Sequence, residues 1–266
     1  MRPDVLWRDI VRIREQSPLV HNITNYVVMN TTANALLAVG ASPVMAHAIE
    51  EVEAMVGLAR ALVLNIGTLS GPWIESMLRA GREARRRGIP VVLDPVGSGA
   101  TALRTATAVR LLEETAPTIV RGNASEIASL AGAQGATKGV DSTRASEATL
   151  DAARALAGRW HCVVSISGPV DFIVSESAVL RVENGHPMMP RVTGLGCTAS
   201  ALTGAFAAVN PSPLEAAAHA MALMGIAGEL AGELSPGPGS FQVHFLDALY
   251  RIGESDVRDR LKLSPA

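Results

Sequence analysis

LVLNIGTLSGPWIESMLRAGREARRRGIPVVLD, residues 62–94, is the stretch that decides the fold. Leu62–Ile66 is an apolar run without alternation, as in a strand buried on both faces. Gly67-Thr68-Leu69-Ser70-Gly71 breaks it, and a helix follows to Arg87. Pro90–Asp94 is a second apolar run, with the proline at its first position, where a strand tolerates it. The basic run Arg79–Arg87 reads as a solvated helix face rather than a nucleic-acid contact. Strand, helix and strand in this order form a βαβ unit, which calls for a parallel sheet with a covering helix.

The rhythm continues outward. Thr118–Val120 and Val163–Ile166 read as further buried strands. Helices are expected near 102–115, 125–131 and 145–158, the second opening on Asn123 or Ser125 as N-cap. Asp171–Ser175 and Val179–Glu183, separated by Glu176-Ser177-Ala178, read as an antiparallel hairpin added to the sheet edge. After Pro190 the pattern is almost wholly helical, over 196–209, 213–234 and 241–253. The charged tail from Glu254 to Ala266 is expected to fray. No linker or fixed-period repeat divides the chain. The expectation is one domain over residues 1–266: a three-layer α/β/α architecture with a mainly parallel sheet and an antiparallel edge hairpin.

Composition agrees. The chain has 266 residues, 48% hydrophobic, 18% charged and 3% aromatic, which supports a large aliphatic core and excludes a disordered chain. A net charge of -2 gives no global field for nucleic acid. Two cysteines, Cys162 and Cys197, are too few for a disulfide framework and fit a reducing compartment. The opening MRPDVLWRDIVRIREQSP reads as an amphipathic helix without the apolar core of a signal peptide. The apolar stretches 33–49 and 214–234 are interrupted by Asn34 and His47, and by Glu215, His219 and Glu229, so neither reads as a membrane helix. A cytoplasmic protein is expected.

Four segments carry candidate chemistry. Asp94, in VVLDPVGSGAT, ends a buried strand where α/β sheets bind ligands. Gly97-Ser98-Gly99 follows, so backbone N–H groups beside the acid suit a magnesium–phosphate pair, while a helix-capping Asp fits as well. Gly97–Ala102 also satisfies G-x-G-x-x-A, but outside a first βαβ unit. In VRGNASEI (120–127), Arg121, Asn123 and Glu126 suit phosphate and metal; Asn123 with Glu126 equally makes a capping box. In VTGLGCTASALTGAF (192–206), Gly194 and Gly196 open a small-residue helix whose N–H groups can meet an anion. Cys197 there is expected to have a lowered thiol pKa, or to be a small buried hydrophobe. In the segment Leu19–Ala48, Asn25, Asn30 and Asn34 are read on adjacent helical turns, flanked by Val27, Val28 and Leu36. They form a polar stripe suited to a pocket or a subunit contact. Met45 ends a short strand there. No Walker A, H-E-x-x-H, C-x-x-C or G-x-S-x-G pattern occurs, so phosphoryl transfer would rest on amides, arginine and metal.

Taken together, HNITNYVVMNTTAN, LDPVGSGAT, RGNASEI and the glycine–cysteine turn resemble the hydroxyethylthiazole kinases, thiamin-salvage members of the ribokinase-like superfamily. The resemblance runs from about Ser17 to Leu249. It implies a ribokinase-like fold and transfer of phosphate from ATP to 4-methyl-5-(2-hydroxyethyl)thiazole, using Mg2+. It implies that Asp94 and Glu126 help hold the metal, that Arg121 and Ser167 contact ATP, and that Met45 and Gly194 line the thiazole site, with Asn25 and Val27 as further contacts. In the wider superfamily an Asp stands where Cys197 does and acts as base, so Cys197 is assigned to hydroxyl orientation and partial base work. Leu195 and Ser167 stand where the family often has Thr. The resemblance also implies a homotrimer with sites at subunit boundaries, Asn25 and Met45 of one chain meeting Gly194 and Cys197 of the next. The alternatives are a pyrimidine or pyridoxal kinase of the same superfamily, a dehydratase of the same fold, or a non-enzymatic nucleotide-binding module.

Overall fold

The computed structural model describes residues 2–132 and 142–266. Its strands are β1 (Leu19–Ile23), β2 (Ser42–Val44), β3 (Ala61–Asn65), β4 (Val91–Asp94), β5 (Ile119–Asn123), β6 (Val163–Ser167), β7 (Asp171–Val174), β8 (Val179–Val182) and β9 (Leu263–Pro265). The helices are α1 (Pro3–Gln16), α2 (Met29–Val39), α3 (Val52–Leu58), α4 (Gly71–Arg87), α5 (Ala102–Thr115) and α6 (Ala124–Leu130), then α7 (Ser142–Trp160), α8 (Leu195–Ala207), α9 (Pro213–Leu234), α10 (Pro238–Arg251) and α11 (Glu254–Arg260). All the strands join one sheet in the order β2-β1-β3-β4-β5-β6-β7-β8-β9. Pairing is parallel from β2 to β6 and antiparallel from β6 to β9.

The sheet is buried on both faces, and side-chain alternation sorts its residues between two cores. Val63, Val92, Ile119 and Val163 pack with α1, α2, α8, α9 and α10 on one face. Leu62, Leu64, Leu93, Val120 and Val164 pack with α3 to α7 on the other. Counting on by two from the first set reaches Asn65, Asp94, Arg121 and Ser165, so the polar strand ends lie beneath the face that α8 covers. The helix approaches the sheet closely: a Cβ on Gly204 would stand 2.7 Å from Val63 Cγ2 and 3.1 Å from Val20 Cγ1. At that point of contact α8 has room for a glycine and no larger residue.

The β-α rhythm is present with ends displaced by up to three residues. The basic end of α4 is solvated and paired, with Arg86 and Arg87 both on Glu83. Three expectations are corrected. LVHNI is a central parallel strand, so Asn25 lies in the loop after β1 rather than on a helix with Asn30 and Asn34. Those two share α2 and hydrogen bond to each other in solvent. Val28 and Leu36 are buried within the chain, and the exposed apolar side chains there are Tyr26, Val27 and Leu37. The tail does not fray. Val257 and Leu263 are buried, and β9 pairs with β8, widening the expected hairpin to three antiparallel strands. Buried His219 on α9 sits with Nδ1 2.7 Å from Asp9 Oδ2 of α1, which joins these helices. Among the described residues, no helix is long and apolar enough to cross a membrane.

Candidate active site

The C-terminal ends of β4, β5 and β6 and the start of α8 enclose a pocket of about 280 Å³ lined by Asp94, Arg121, Asn123, Glu126, Ser167, Gly194, Gly196 and Cys197. All eight of these were singled out in the sequence, and they share one crevice. Asn25 reaches it from the side, donating from Nδ2 to Cys197 Sγ at 3.4 Å. Val27 is exposed, and Met45 is half-buried just after the edge strand β2; neither lines this pocket.

Asp94 is not a cap, because Thr101 caps α5 by accepting from Arg104 N. Its side chain is 1% exposed, and its Oδ2 accepts from Asn65 Nδ2 at 2.6 Å and from Ser200 Oγ at 2.7 Å. Burial pushes its carboxyl up to about 6 against the pull of Arg121, and the nearby Glu126 adds to the rise. Asp171, at the start of β7, is likewise raised by burial to about 6, with Gly168 N–H and Arg121 opposing. Neither Asn65, Ser200 nor Asp171 stood out in the sequence. An amide or acid inside or beside an apolar strand was the available signal.

Glu126 forms the capping box with Asn123: Asn123 Oδ1 accepts from Glu126 N at 3.0 Å, and Asn123 N donates to Glu126 Oε2 at 2.8 Å. Its other oxygen accepts from Gly97 N at 2.8 Å. That bond bears on the glycine turn. Gly99 N donates to Thr105 Oγ1, Ser98 N to Pro95 O and Ala100 N to Gly97 O, so the amides of 97–100 are used internally. The expected anion nest beside Asp94 is therefore not formed.

Anion-binding capacity lies elsewhere. Arg121 is 8% exposed and, among the described residues, its Nε has no partner. Beside it stands the first turn of α8, whose N–H groups precede the intrahelical ladder. Gly194 caps that turn at φ +89°, a left-handed conformation that excludes most side chains, and a Cβ there would lie 2.8 Å from Val28 Cγ1. A buried guanidinium next to a helix N-terminus suits a phosphoryl group.

Cys197 departs from expectation. The helix N-terminus should lower its pKa, yet burial and the neighbouring Asp94 push the thiol up to about 11, against hydrogen bonds from Asn65 and Asn25. Hydroxyl orientation remains open to it, while a standing thiolate at neutral pH does not. Asn25 and Cys197 also meet within one chain, which corrects their assignment to opposite subunits.

Among the described residues, a nine-stranded, mainly parallel sheet with helices on both faces is the ribokinase-like fold. Pyridoxal kinase from Staphylococcus aureus shares it, with a TM-score of 0.64 at 16% identity over 94% of this chain and 98% of that one. The model of the hydroxyethylthiazole kinase family matches residues 10–255, and the chain belongs to that family. Hydroxyethylthiazole kinase of Syntrophus aciditrophicus is 61% identical over 98% of this chain and 97% of its own. That of Nitratidesulfovibrio vulgaris, strain Miyazaki F, is 58% identical over 97% of each. The structure of the Pyrococcus horikoshii hydroxyethylthiazole kinase superposes with a TM-score of 0.92 at 45% identity, covering 99% of both chains.

Proposed function

We propose that the protein phosphorylates the primary hydroxyl of 4-methyl-5-(2-hydroxyethyl)thiazole, with ATP as donor, as one catalytic domain in the cytoplasm. Membership of the family supports the reaction, and the observation that carries the chemistry is the buried Arg121 guanidinium beside the N-terminus of α8. In this reading Arg121 and Ser167 hold the nucleotide phosphates, and the first-turn N–H groups of α8 receive the charge of the transferring group. Asn25 and Cys197 orient the acceptor hydroxyl, and Gly194 lets it approach the backbone.

The donor set fits magnesium: Asp94 and Glu126 bring two hard carboxylate oxygens to one pocket, an arrangement Mg2+ completes with waters and substrate phosphates. Because both Glu126 oxygens already accept backbone N–H groups, it would act through water and Asp94 directly. When bound, the ion neutralises charge on the phosphates. The test is ADP production from ATP with the thiazole alcohol offered against the hydroxymethylpyrimidine alcohol and pyridoxal. Preference for either of the latter would sink the assignment.

Cys197→Ala is expected to fold normally and lose about 10²-fold in kcat, because a protonated thiol supplies orientation rather than a full general base. Cys197→Asp is expected to stay active. Steady-state rates of folded protein decide; complete loss in the Ala variant would mean an obligatory covalent or base role.

We further propose a homotrimer whose thiazole site is completed across the subunit boundary by Met45, with Asn25, Gly194 and Cys197 coming from a single chain. Exposed Tyr26, Val27 and Leu37 support it, since they would be covered in such an assembly. Mixing inactive Met45 and Cys197 variants under subunit exchange should restore about a quarter of the activity, because that share of interfaces pairs two intact halves. Asn25 and Cys197 variants should restore none. A monomeric mass at working concentration would overturn the assembly.

A further inference from the structure

Asn65 ends β3 and is 2% exposed. In the parallel register its partner across the ladder is Asp94, which sets the two side chains side by side on the face beneath α8. Its Nδ2 donates to Asp94 Oδ2 at 2.6 Å, while its Oδ1 accepts from Asn25 Nδ2 at 2.8 Å and from Gly67 N at 3.0 Å. Asn25 in turn accepts from Val27 N at its own Oδ1, 3.1 Å away, and donates to Cys197 Sγ. Backbone N–H groups only donate, so Val27 and Gly67 fix which way round both amides lie. At the far end the carboxylate of Asp94 needs donors. A flip of Asn65 would face its NH2 against two donors and its oxygen against a carboxylate. Ser200 supplies the second donor to the same Oδ2, and among the described residues no side chain donates to Oδ1, which is left to the pocket.

We infer that Asn65 is a positioning residue: its single amide, held in one orientation, fixes the acceptor side of the pocket (Asn25 and Cys197) relative to the phosphoryl side (Asp94). The inference rests on the kinase reading above. Asn65 is not among the residues that line the pocket. It acts by giving one rigid side chain two faces, so that the hydroxyl-orienting groups and the carboxylate cannot drift independently. Phosphoryl transfer depends on such alignment more than on covalent chemistry.

The two faces separate experimentally. Asn65→Asp keeps the shape and the oxygen that receives Asn25 and Gly67 and sets a second carboxyl against Asp94. Two carboxyls this close can share a proton and so rebuild the bridge. The variant is therefore read across about pH 7 to 9, where loss of that proton removes the donor. Asn65→Leu keeps the size and removes both faces. Binding of the thiazole alcohol to nucleotide-free, metal-free protein is measured by calorimetry, alongside kcat and the melting temperature. The expected result is that at about pH 9 Asn65→Asp binds within about threefold of the parent yet turns over at least about 10²-fold more slowly, whereas Asn65→Leu loses about tenfold in binding as well as turnover. Asn65→Asp alone decides if the leucine variant fails to fold. Retention of both properties in it at that pH, or loss of both by similar factors, would overturn the inference, since an ordinary strand residue affects the two alike. Failure of the parent itself to phosphorylate the thiazole alcohol would instead overturn the functional reading.

Discussion

Asp94→Asn is expected to fold, to gain stability and to lose about 10³-fold in kcat. The gain follows from where the carboxyl lies. It is buried beneath α8, and its pKa is raised to about 6 even with Arg121, Ser200 and Asn65 opposing the rise. A carboxyl whose folded pKa exceeds its unfolded value binds protons on folding. It therefore weakens the fold above about pH 6, and the penalty fades as the pH falls toward the unfolded value. At neutral pH that penalty is on the order of 2–3 kcal/mol. An asparagine of the same shape can turn its oxygen toward Asn65 Nδ2 and Ser200 Oγ, so both bonds survive without the buried charge. Nucleotide-free, metal-free parent protein should accordingly become more stable between about pH 7 and about pH 5. The variant should show a smaller gain, the remainder coming from Asp171, whose shift has the same sign. Denaturation midpoints at the two pH values check the stability, and ADP release checks the rate. Near-parental turnover by the purified variant would remove Asp94 from the metal site.

Periodicity carried much of this architecture, because a buried parallel strand needs a short apolar run and a crossover helix needs a longer amphipathic one. LVLNI, VVLD and VVSIS meet the first condition, and the small-residue stretch 213–234 coincides with α9. LVHNI does not. Its His21 and Asn22 are buried in the sheet with His21 Nε2 2.7 Å from Ala46 O, a partner 25 residues away that no local pattern announces. The tail misled for a similar reason: its charges pair with Glu229 and Glu233 of α9 and leave Val257 and Leu263 inside. Within the site, residue type at and just after strand ends was enough to single out Asp94, Arg121 and Glu126, whereas Ser167 entered only through the family resemblance. Residue type did not disclose that the glycine-turn amides are consumed, that Asn65 joins Asn25 to Asp94, or that burial outweighs the helix N-terminus at Cys197. Each of those is a competition between neighbours supplied by different strands and helices, and its outcome depends on distances of a few ångströms.

Arg121→Gln is expected to lose about 10³-fold in kcat and to weaken ATP binding, an effect comparable to removing a charge-stabilising arginine from other phosphoryl-transfer sites. The guanidinium is buried between Asp94 and Asp171, whose carboxyls it pulls down, and faces the first turn of α8. Gly196 permits that approach, since a Cβ there would lie 3.0 Å from Arg121 Nη1. Its Nε, buried without a protein partner among the described residues, is a donor that an incoming phosphate can satisfy. Arg121→Lys keeps the charge but replaces a planar fork with a single ammonium, so it should recover less than about tenfold of the lost rate. Removing the cation also lets both carboxyls rise further from about 6. The nucleotide-free glutamine variant should therefore lose stability more steeply than the parent as the pH rises above neutrality. Steady-state kcat and the KM for ATP, read beside denaturation midpoints at pH 6 and pH 8, separate the two roles. A variant that keeps kcat within about tenfold and leaves the KM for ATP unchanged would show that Arg121 only balances the buried carboxylates, and that the charge of the transferring group is received by the N–H groups of α8 alone.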